Sequence, residues 1–235
     1  MKTIIQKAEN RGHANHGWLN AKHSFSFANY YNPEQMNFGV LRVLNDDTIA
    51  SGKGFGTHPH DNMEIITIPL EGELEHKDSM NNVGIIKQGE IQVMSAGTGV
   101  YHSEYNKNAD KELKLLQIWV IPNARNVEPR YEQISIKDIE KDNTFFQILS
   151  PNKDDEGVWI HQDAWFSLGN FETGKLENYQ LKKKTNGVYI FVIEGKINVE
   201  NEELNTRDAI GIWDVENINL TSITKSKVLL MEVPM

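Results

Sequence analysis

Short runs of β-forming residues, separated by Gly, Asn and Asp, recur along almost the whole chain of 235 residues. Helical periodicity is rare, so the pattern favours an all-β sandwich or barrel. In the first half, strands are predicted around residues 38–44, 64–71, 72–77, 91–95 and 113–121. In the second half, they are predicted around 145–149, 159–170, 187–193, 196–199, 209–213 and 227–233.

Turn-forming residues and one connecting segment interrupt these strands. Turns are predicted at Asn45-Asp46-Asp47 and Asn81-Asn82, because Asn and Asp form local side-chain bonds that favour turns. Residues 122–139 would connect the two halves, and the only hint of helix lies near 136–141. The length suits two small domains, each with its own core. We predict them over residues 1–125 and 126–235, with the first residues able to pack on the other barrel.

The two halves share a local signature in which an apolar strand ends at Glu-Gly and another strand begins at once. The signature occurs at residues 69–74 and again at 191–197. We interpret each copy as a tight hairpin in which Gly supplies a backbone angle that other residues avoid. Two copies indicate duplication of one barrel unit.

Charge and cysteine content exclude several classes of function. The formal net charge is −9 and Lys and Arg are scattered, which argues against direct nucleic-acid binding. The absence of Cys excludes disulfides, thiolate nucleophiles and Cys-based zinc sites. No stretch approaches the ~18 apolar residues of a membrane span, and no signal-peptide core is apparent. These observations predict a cytoplasmic protein without membrane contact, in which any metal is bound by His and carboxylate.

Two compact pairs of residues offer such ligands: His58-Pro59-His60 and His102-Ser103-Glu104. Residues i and i+2 of a strand project on the same face, so each pair can deliver two ligands into one space. Imidazole suits iron, copper, nickel and zinc, whereas an added carboxylate favours iron or manganese. The first pair alone is equally compatible with ordinary polar surface, and the second pair shifts the balance to a metal site.

A specific family resemblance rests on five segments: GHANHGWL at 12–19, HSFSF at 23–27, GTHPH at 56–60, LEHKDS at 74–79 and SAGTGVYHSE at 95–104. Together they resemble the pirin family of the cupin superfamily, in its short bacterial form, over essentially the whole chain. The resemblance implies a bicupin, an all-β fold of two packed jelly-roll barrels (double-stranded β-helices). It also implies a metal site in the N-terminal barrel and a degenerate C-terminal barrel without one. In the second half, His161 is the only histidine.

The resemblance also implies ligands, a cofactor and an activity. The ligands would be His58, His60, His102 and Glu104, and the metal would be Fe(II), with Mn, Ni, Cu or Zn left open. Several bacterial pirins act as quercetin 2,3-dioxygenases, which implies an oxidoreductase that cleaves the central ring of a flavonol with O2. Glu104 would then be catalytic and accept the proton of the substrate 3-hydroxyl.

Other interpretations of the function and of further residues remain open from the sequence. The protein could instead be a metal-dependent regulatory module that binds another protein, or act on another small enolisable molecule. Gln117 is a polar residue in an apolar strand and could face the pocket. Glu64 lies an even number of residues from His60, so it would hydrogen-bond near the ligands or, after a register shift, point outward. Phe25, Phe38 and Met63 are apolar and could line a pocket for a flat aromatic substrate. They could equally belong to an ordinary hydrophobic core.

Overall fold

The structure, a computed structural model covering residues 1–235, is built almost entirely from antiparallel strands. One short 3-10 helix lies at Ala8–Asn10, and no helix has the length and apolar character needed to cross a membrane. The strands are β1 (Lys2–Gln6), β2 (Gly12–Asn15), β3 (Leu19–His23), β4 (Leu41–Ile49), β5 (Gly54–His60), β6 (Glu64–Glu71), β7 (Glu73–Asp78), β8 (Val83–Lys87), β9 (Glu90–Ser95), β10 (Val100–Asn106), β11 (Leu113–Val120), β12 (Arg130–Ser135), β13 (Phe145–Ser150), β14 (Val158–Trp159), β15 (Trp165–Phe171), β16 (Leu176–Gln180), β17 (Asn186–Glu194), β18 (Lys196–Val199), β19 (Glu202–Asn205), β20 (Ala209–Trp213), β21 (Asn217–Ser222) and β22 (Ser226–Pro234).

The strands form two barrels, each made of a seven-stranded and a four-stranded sheet. The first barrel combines the sheet β12-β9-β6-β11-β4-β3-β2 with the sheet β5-β10-β7-β8. The second combines β1-β20-β17-β22-β15-β13-β14 with β16-β21-β18-β19. The predicted all-β, two-barrel fold is confirmed.

Two strands connect the barrels across the predicted domain division. The first strand, β1, pairs with β20 of the second barrel, although the residues that follow it belong to the first. Strand β12 lies beyond residue 125 and pairs with β9 of the first barrel. The domain division at residue 125 remains a prediction. The pairing of β1 with β20 and of β12 with β9 connects the two halves of the chain.

The repeated Glu-Gly signature forms a corner, so the predicted tight hairpins are wrong. Strand β6 pairs with β9 and β11 of the large sheet, whereas β7 pairs with β8 and β10 of the small sheet. Gly72, between them, has φ 86°, and Gly195 has φ 87° at the equivalent point between β17 and β18. At Gly195 a Cβ would clash with the carbonyl oxygen of Lys225. A positive φ at both places redirects the chain from one sheet to the other.

Three other local predictions are wrong. Strand β4 runs without interruption through the predicted turn at 45–47, because Asn45 and Asp47 alternate with neighbouring residues and are buried within the fold. The predicted strand 159–170 is divided between β14 and β15. Residues 137–139 form a turn where a helix was suggested. Asn and Asp favour turns in isolation, but strand pairing on both sides of β4 overrides that preference.

The apolar cores show that the two barrels have different interiors. The largest cluster, 27 buried residues, contains side chains of both barrels and forms the contact between them. A second cluster of 15 residues fills the second barrel. The first barrel has only smaller clusters of 7 and 4 residues. Its strands also carry buried polar side chains, among them Asp47, His102 and Glu104.

Candidate metal centre

Neighbouring strands of the small sheet bring three predicted ligands together. Strands β5 and β10 are antiparallel, with His58 opposite His102 and His60 opposite Val100. Because alternate residues share a face, the two histidines of β5 project beside the one of β10. The ligand atoms of His58, His60 and His102 all lie within 4.8 Å of one another.

Glu104 lies on the same strand as His102 but beyond an irregularity. The pairing of β10 with β5 shifts between these two residues, which indicates a bulge. The Glu104 carboxylate lies within 4.8 Å of ligand atoms of His102 and His76, and it is not part of the compact group of three histidines. Gln117 Nε2 donates to both carboxylate oxygens, at 3.1 and 3.3 Å, and Thr67 donates to Gln117 Oε1 at 2.7 Å. Burial raises the pKa of Glu104 to about 7.

The histidine atoms that face one another are suited to a metal. His60 Nε2 and His102 Nε2 are buried and have no hydrogen-bond partner. Burial, assisted by the neighbouring His58, lowers the pKa of His60 to about 4 and that of His102 to about 2. Both imidazoles are therefore neutral at pH 7 and present lone pairs. The buried, unpartnered nitrogens of His60 and His102, which converge with the His58 ring, fit a divalent metal ion.

Hydrogen bonds indicate which ring nitrogen of His58 and of His102 is free. His58 Nδ1 donates to the carbonyl oxygen of Gly56 at 2.8 Å, which leaves its Nε2 as the acceptor. Behind His102, His76 Nε2 lies 3.2 Å from Asp78 Oδ2, and the Nδ1 atoms of His76 and His102 are 3.5 Å apart. If His76 donates to Asp78, its Nδ1 accepts from His102, so the Nε2 atom of His102 carries the lone pair. Partners of this kind orient metal-binding histidines.

A cavity of about 420 Å³ opens beside the cluster. Its walls include His58, His60, Glu104 and Gln117, and contact of Gln117 with a substrate stays a prediction. Four aromatic side chains line it: Trp18, Phe27, Phe55 and Trp119. They pack in edge contacts, with ring centroids 5.4 Å apart for Trp18 and Phe55 and 5.3 Å apart for Phe27 and Trp119. Such a volume and lining are typical of small-molecule sites.

The apolar residues predicted for the substrate sleeve do not line this cavity. Phe25 and Phe38 belong to the core between the barrels, and each packs against Tyr189 with ring centroids 5.5 Å apart. Met63 packs beside the cluster that contains Ile65 and Met94. Apolar side chains serve equally well in a core or a binding site, and here the second barrel covers the face that carries Phe25 and Phe38.

Glu64 is buried but faces away from the predicted ligands. Its Oε2 accepts from Ser95 Oγ at 2.7 Å, and burial raises its pKa to about 7. The even-numbered residues of β6 contribute to the core between the barrels, while Thr67 faces Gln117 inside the first barrel. Counting from His60 failed because the strand is broken at Asn62, where φ is 44°. Both positions predicted for Glu64 are therefore wrong: it does not hydrogen-bond near the ligands, and it is not exposed on the surface.

Several cavity residues were missed from the sequence. Asn45 and Asp47 were assigned to a turn, although their alternation with Leu44 and Asp46 could have indicated an inward face. His23, which no sequence signal singled out, ends β3, lines the cavity and bonds Asn45 Oδ1 at 2.8 Å. Trp18 and Trp119 gave no signal beyond their aromatic character.

The second barrel carries a buried carboxylate with a structural role. Glu232 has no exposed surface and accepts hydrogen bonds from Tyr179 Oη, Asn186 Nδ2 and the backbone N–H groups of Lys182 and Lys183. These bonds attach the turn before β17 to the last strand. The carboxylate is fully occupied, and apolar side chains fill the interior around it.

Two double-sheet barrels, with a histidine-rich centre in the first and an apolar interior in the second, define a bicupin with one candidate metal centre. The Pirin family profile matches residues 5–120, and the profile of the quercetinase C-terminal cupin domain matches residues 147–233. The chain belongs to the pirin family.

Relatives and solved structures agree with this assignment. The chain is 43% identical over 230 residues to quercetin 2,3-dioxygenase of Escherichia coli K12, covering 98% of each chain. A putative quercetin 2,3-dioxygenase of Pseudomonas aeruginosa is 43% identical over 223 residues, covering 94% of this chain and 95% of the relative. The crystal structure of bacterial pirin YhhW from E. coli in complex with nickel(II) has a TM-score of 0.94 at 42% identity, covering 99% of each chain.

Proposed function

We propose that this protein is a metal-dependent dioxygenase that opens the central ring of flavonols such as quercetin with O2. The proposal is carried by the position of the three converging imidazoles and a buried carboxylate beside an aromatic-walled cavity. The relatives named quercetin 2,3-dioxygenase support this substrate class.

We assign the metal to His58, His60, His102 and Glu104 and propose Fe(II) as the native ion. A bound divalent ion would supply Lewis acidity and orient oxygen ligands. A related pirin structure contains nickel(II), and this donor set accepts several divalent metals. Elemental analysis of the protein purified from its own host, without added metal, tests the assignment of iron.

The residues around the site hold the substrate and move one proton. The carboxylate oxygens of Glu104 accept the proton of the substrate 3-hydroxyl, and Gln117 Nε2 holds that carboxylate in place. The aromatic walls hold the flat ring system and exclude water. Two pairs of aromatic side chains in edge contact line the cavity: Trp18 with Phe55, and Phe27 with Trp119.

Substitution Glu104→Gln tests the proposed function. The variant keeps the size of the side chain and loses the basic oxygen, so turnover should be abolished while some metal remains bound. Oxygen uptake is measured after anaerobic reconstitution with Fe(II) and addition of quercetin, with the exposed Glu112→Gln as matched control.

Full activity of Glu104→Gln would contradict the role of this carboxylate. If the parent protein binds metal and quercetin but consumes no oxygen, the dioxygenase proposal fails. The protein-binding alternative would then become the leading hypothesis.

A further inference from the structure

Asp47 is a buried carboxyl group that faces the cavity without a protein partner. Its side chain lines the cavity, the residue is 4% exposed, and Oδ1 is buried with no hydrogen bond. The nearby arginines, Arg11 and Arg207, pair with Asp46 on the other face of β4. An unpaired acid in such a place opposes folding, so its presence calls for a partner that binds in the cavity.

Several other polar groups of the cavity already have protein partners. Asn45 accepts from His23, and Gln117 bonds both Glu104 and Thr67. Apart from His60 in the metal cluster, the buried lining atoms without a partner are Asp47 Oδ1 and Trp119 Nε1. Asp47 therefore has bonding capacity left for a ligand.

The position of Asp47 relates it to the proposed catalytic carboxylate. On the seven-stranded sheet, Asp47 pairs with Leu115 and Asn45 pairs with Gln117. Asp47 is thus the diagonal neighbour of Gln117, at a distance of about 7–8 Å for such pairs. Gln117 in turn holds Glu104. Both carboxyl groups face one chamber from opposite sheets.

The environment favours the protonated form of Asp47. Burial, with a smaller contribution from the carboxylates of Asp46 and Glu104, raises its pKa to about 8. A protonated carboxyl group carries an O–H donor, whereas both oxygens of Glu104 accept from Gln117 Nε2. The cavity thus offers one hydrogen-bond donor and one acceptor, the two groups that a ketone with an adjacent hydroxyl group requires.

We propose that Asp47 is a specificity-determining residue that donates a hydrogen bond to the ring carbonyl oxygen of the substrate, while Glu104 receives the proton of the adjacent hydroxyl. The inference rests on the proposed function and narrows the substrate class to planar aromatic rings that carry a ketone beside a hydroxyl.

Two substitutions at one position test the inference, Asp47→Asn and Asp47→Leu, with the exposed Asp110→Asn as control. Quercetin binding to metal-free protein is measured by quenching of tryptophan fluorescence, because Trp18 and Trp119 line the cavity. The KM and kcat of the iron-loaded protein and the Tm are measured alongside.

The asparagine amide still donates, so its Kd and KM should stay within about threefold of the parent. Leucine cannot donate, so Kd and KM should rise about tenfold, with a smaller change in kcat. Neither variant should melt below the parent, since each removes a buried acid without a partner.

Three results would overturn the inference. The first is parent-like binding by Asp47→Leu. The second is an equal loss in both variants, which would indicate that Asp47 acts as a base. The third is a lowered Tm in both, which would indicate a structural role. If the parent consumes oxygen and Asp47→Leu has the same Kd and KM as the parent, only this inference is overturned. If the parent neither binds quercetin nor consumes oxygen, the proposed function itself is refuted.

Discussion

Substitution Asp47→Asn is expected to increase the stability of the metal-free protein, by an amount that grows with pH. The ordinary pKa of the carboxyl group is 3.8, and in the folded protein burial raises it to about 8. Between these values, the unfolded chain has lost the proton while the folded protein retains it. The stability contributed by protonated Asp47 is therefore complete below pH 3.8 and is lost as the pH rises towards 8.

The slope of this effect follows from proton linkage. A difference of one bound proton changes the free energy of unfolding by about 1.4 kcal/mol per pH unit. Asparagine does not titrate, so the free energy of unfolding of the variant, minus that of the parent, should increase by about 3 kcal/mol between pH 5 and pH 7. Above pH 8 the difference should become constant.

Urea unfolding of both metal-free proteins at pH 5, 6, 7 and 8 measures the difference, and the exposed Asp110→Asn serves as control. Taking the difference at each pH removes contributions from groups that titrate equally in both proteins. A difference that stays constant from pH 5 to 8 would refute the reasoning, because it would mean that Asp47 is ionised in the folded protein.

Three further substitutions test the site. A divalent metal at a hundredfold excess over its Kd should stabilise the parent by about 2.7 kcal/mol. In a thermal-shift assay, His102→Ala should lose most of this stabilisation because it lacks one proposed ligand. The exposed His13→Ala is the control and should keep it. Gly54→Ala places a Cβ against the carbonyl oxygen of Glu104, so it should displace β10. The free energy of unfolding in urea should fall by about 1–3 kcal/mol, and metal binding should weaken. An unchanged free energy and metal affinity would contradict the close packing of β5 against β10. Trp18→Ala removes an aromatic wall and should raise KM for quercetin about three- to tenfold in oxygen-uptake assays, with little change in Tm; an unchanged KM would place the substrate elsewhere.

Local features of the sequence were sufficient to anticipate much of the site. Strand parity placed His58 beside His60, and the second pair placed His102 on the strand that proved to be its neighbour. The Glu-Gly signature indicated a repeated unit, and Gly72 and Gly195 do occupy equivalent corners with nearly identical φ. Spacing of this kind survives in the fold because a strand fixes the direction of alternate side chains.

Tertiary structure decided which face of each strand meets the cavity and which meets the other barrel. Both faces of β6 are buried, so the hydrophobic pattern does not distinguish the side of Thr67 from that of Glu64.

The sequence by itself determined an all-β chain of two similar units, with two compact ligand pairs, His58/His60 and His102/Glu104, for one candidate metal centre. Only the tertiary structure placed Asp47 in the cavity, because its neighbours across the sheet, Ala21 and Leu115, are remote in the chain. Local propensity favours a turn at Asn and Asp, and strand pairing on both sides overrides it. The physical reason is that alternation is a local property of the backbone, whereas burial of a given face depends on contacts between distant strands.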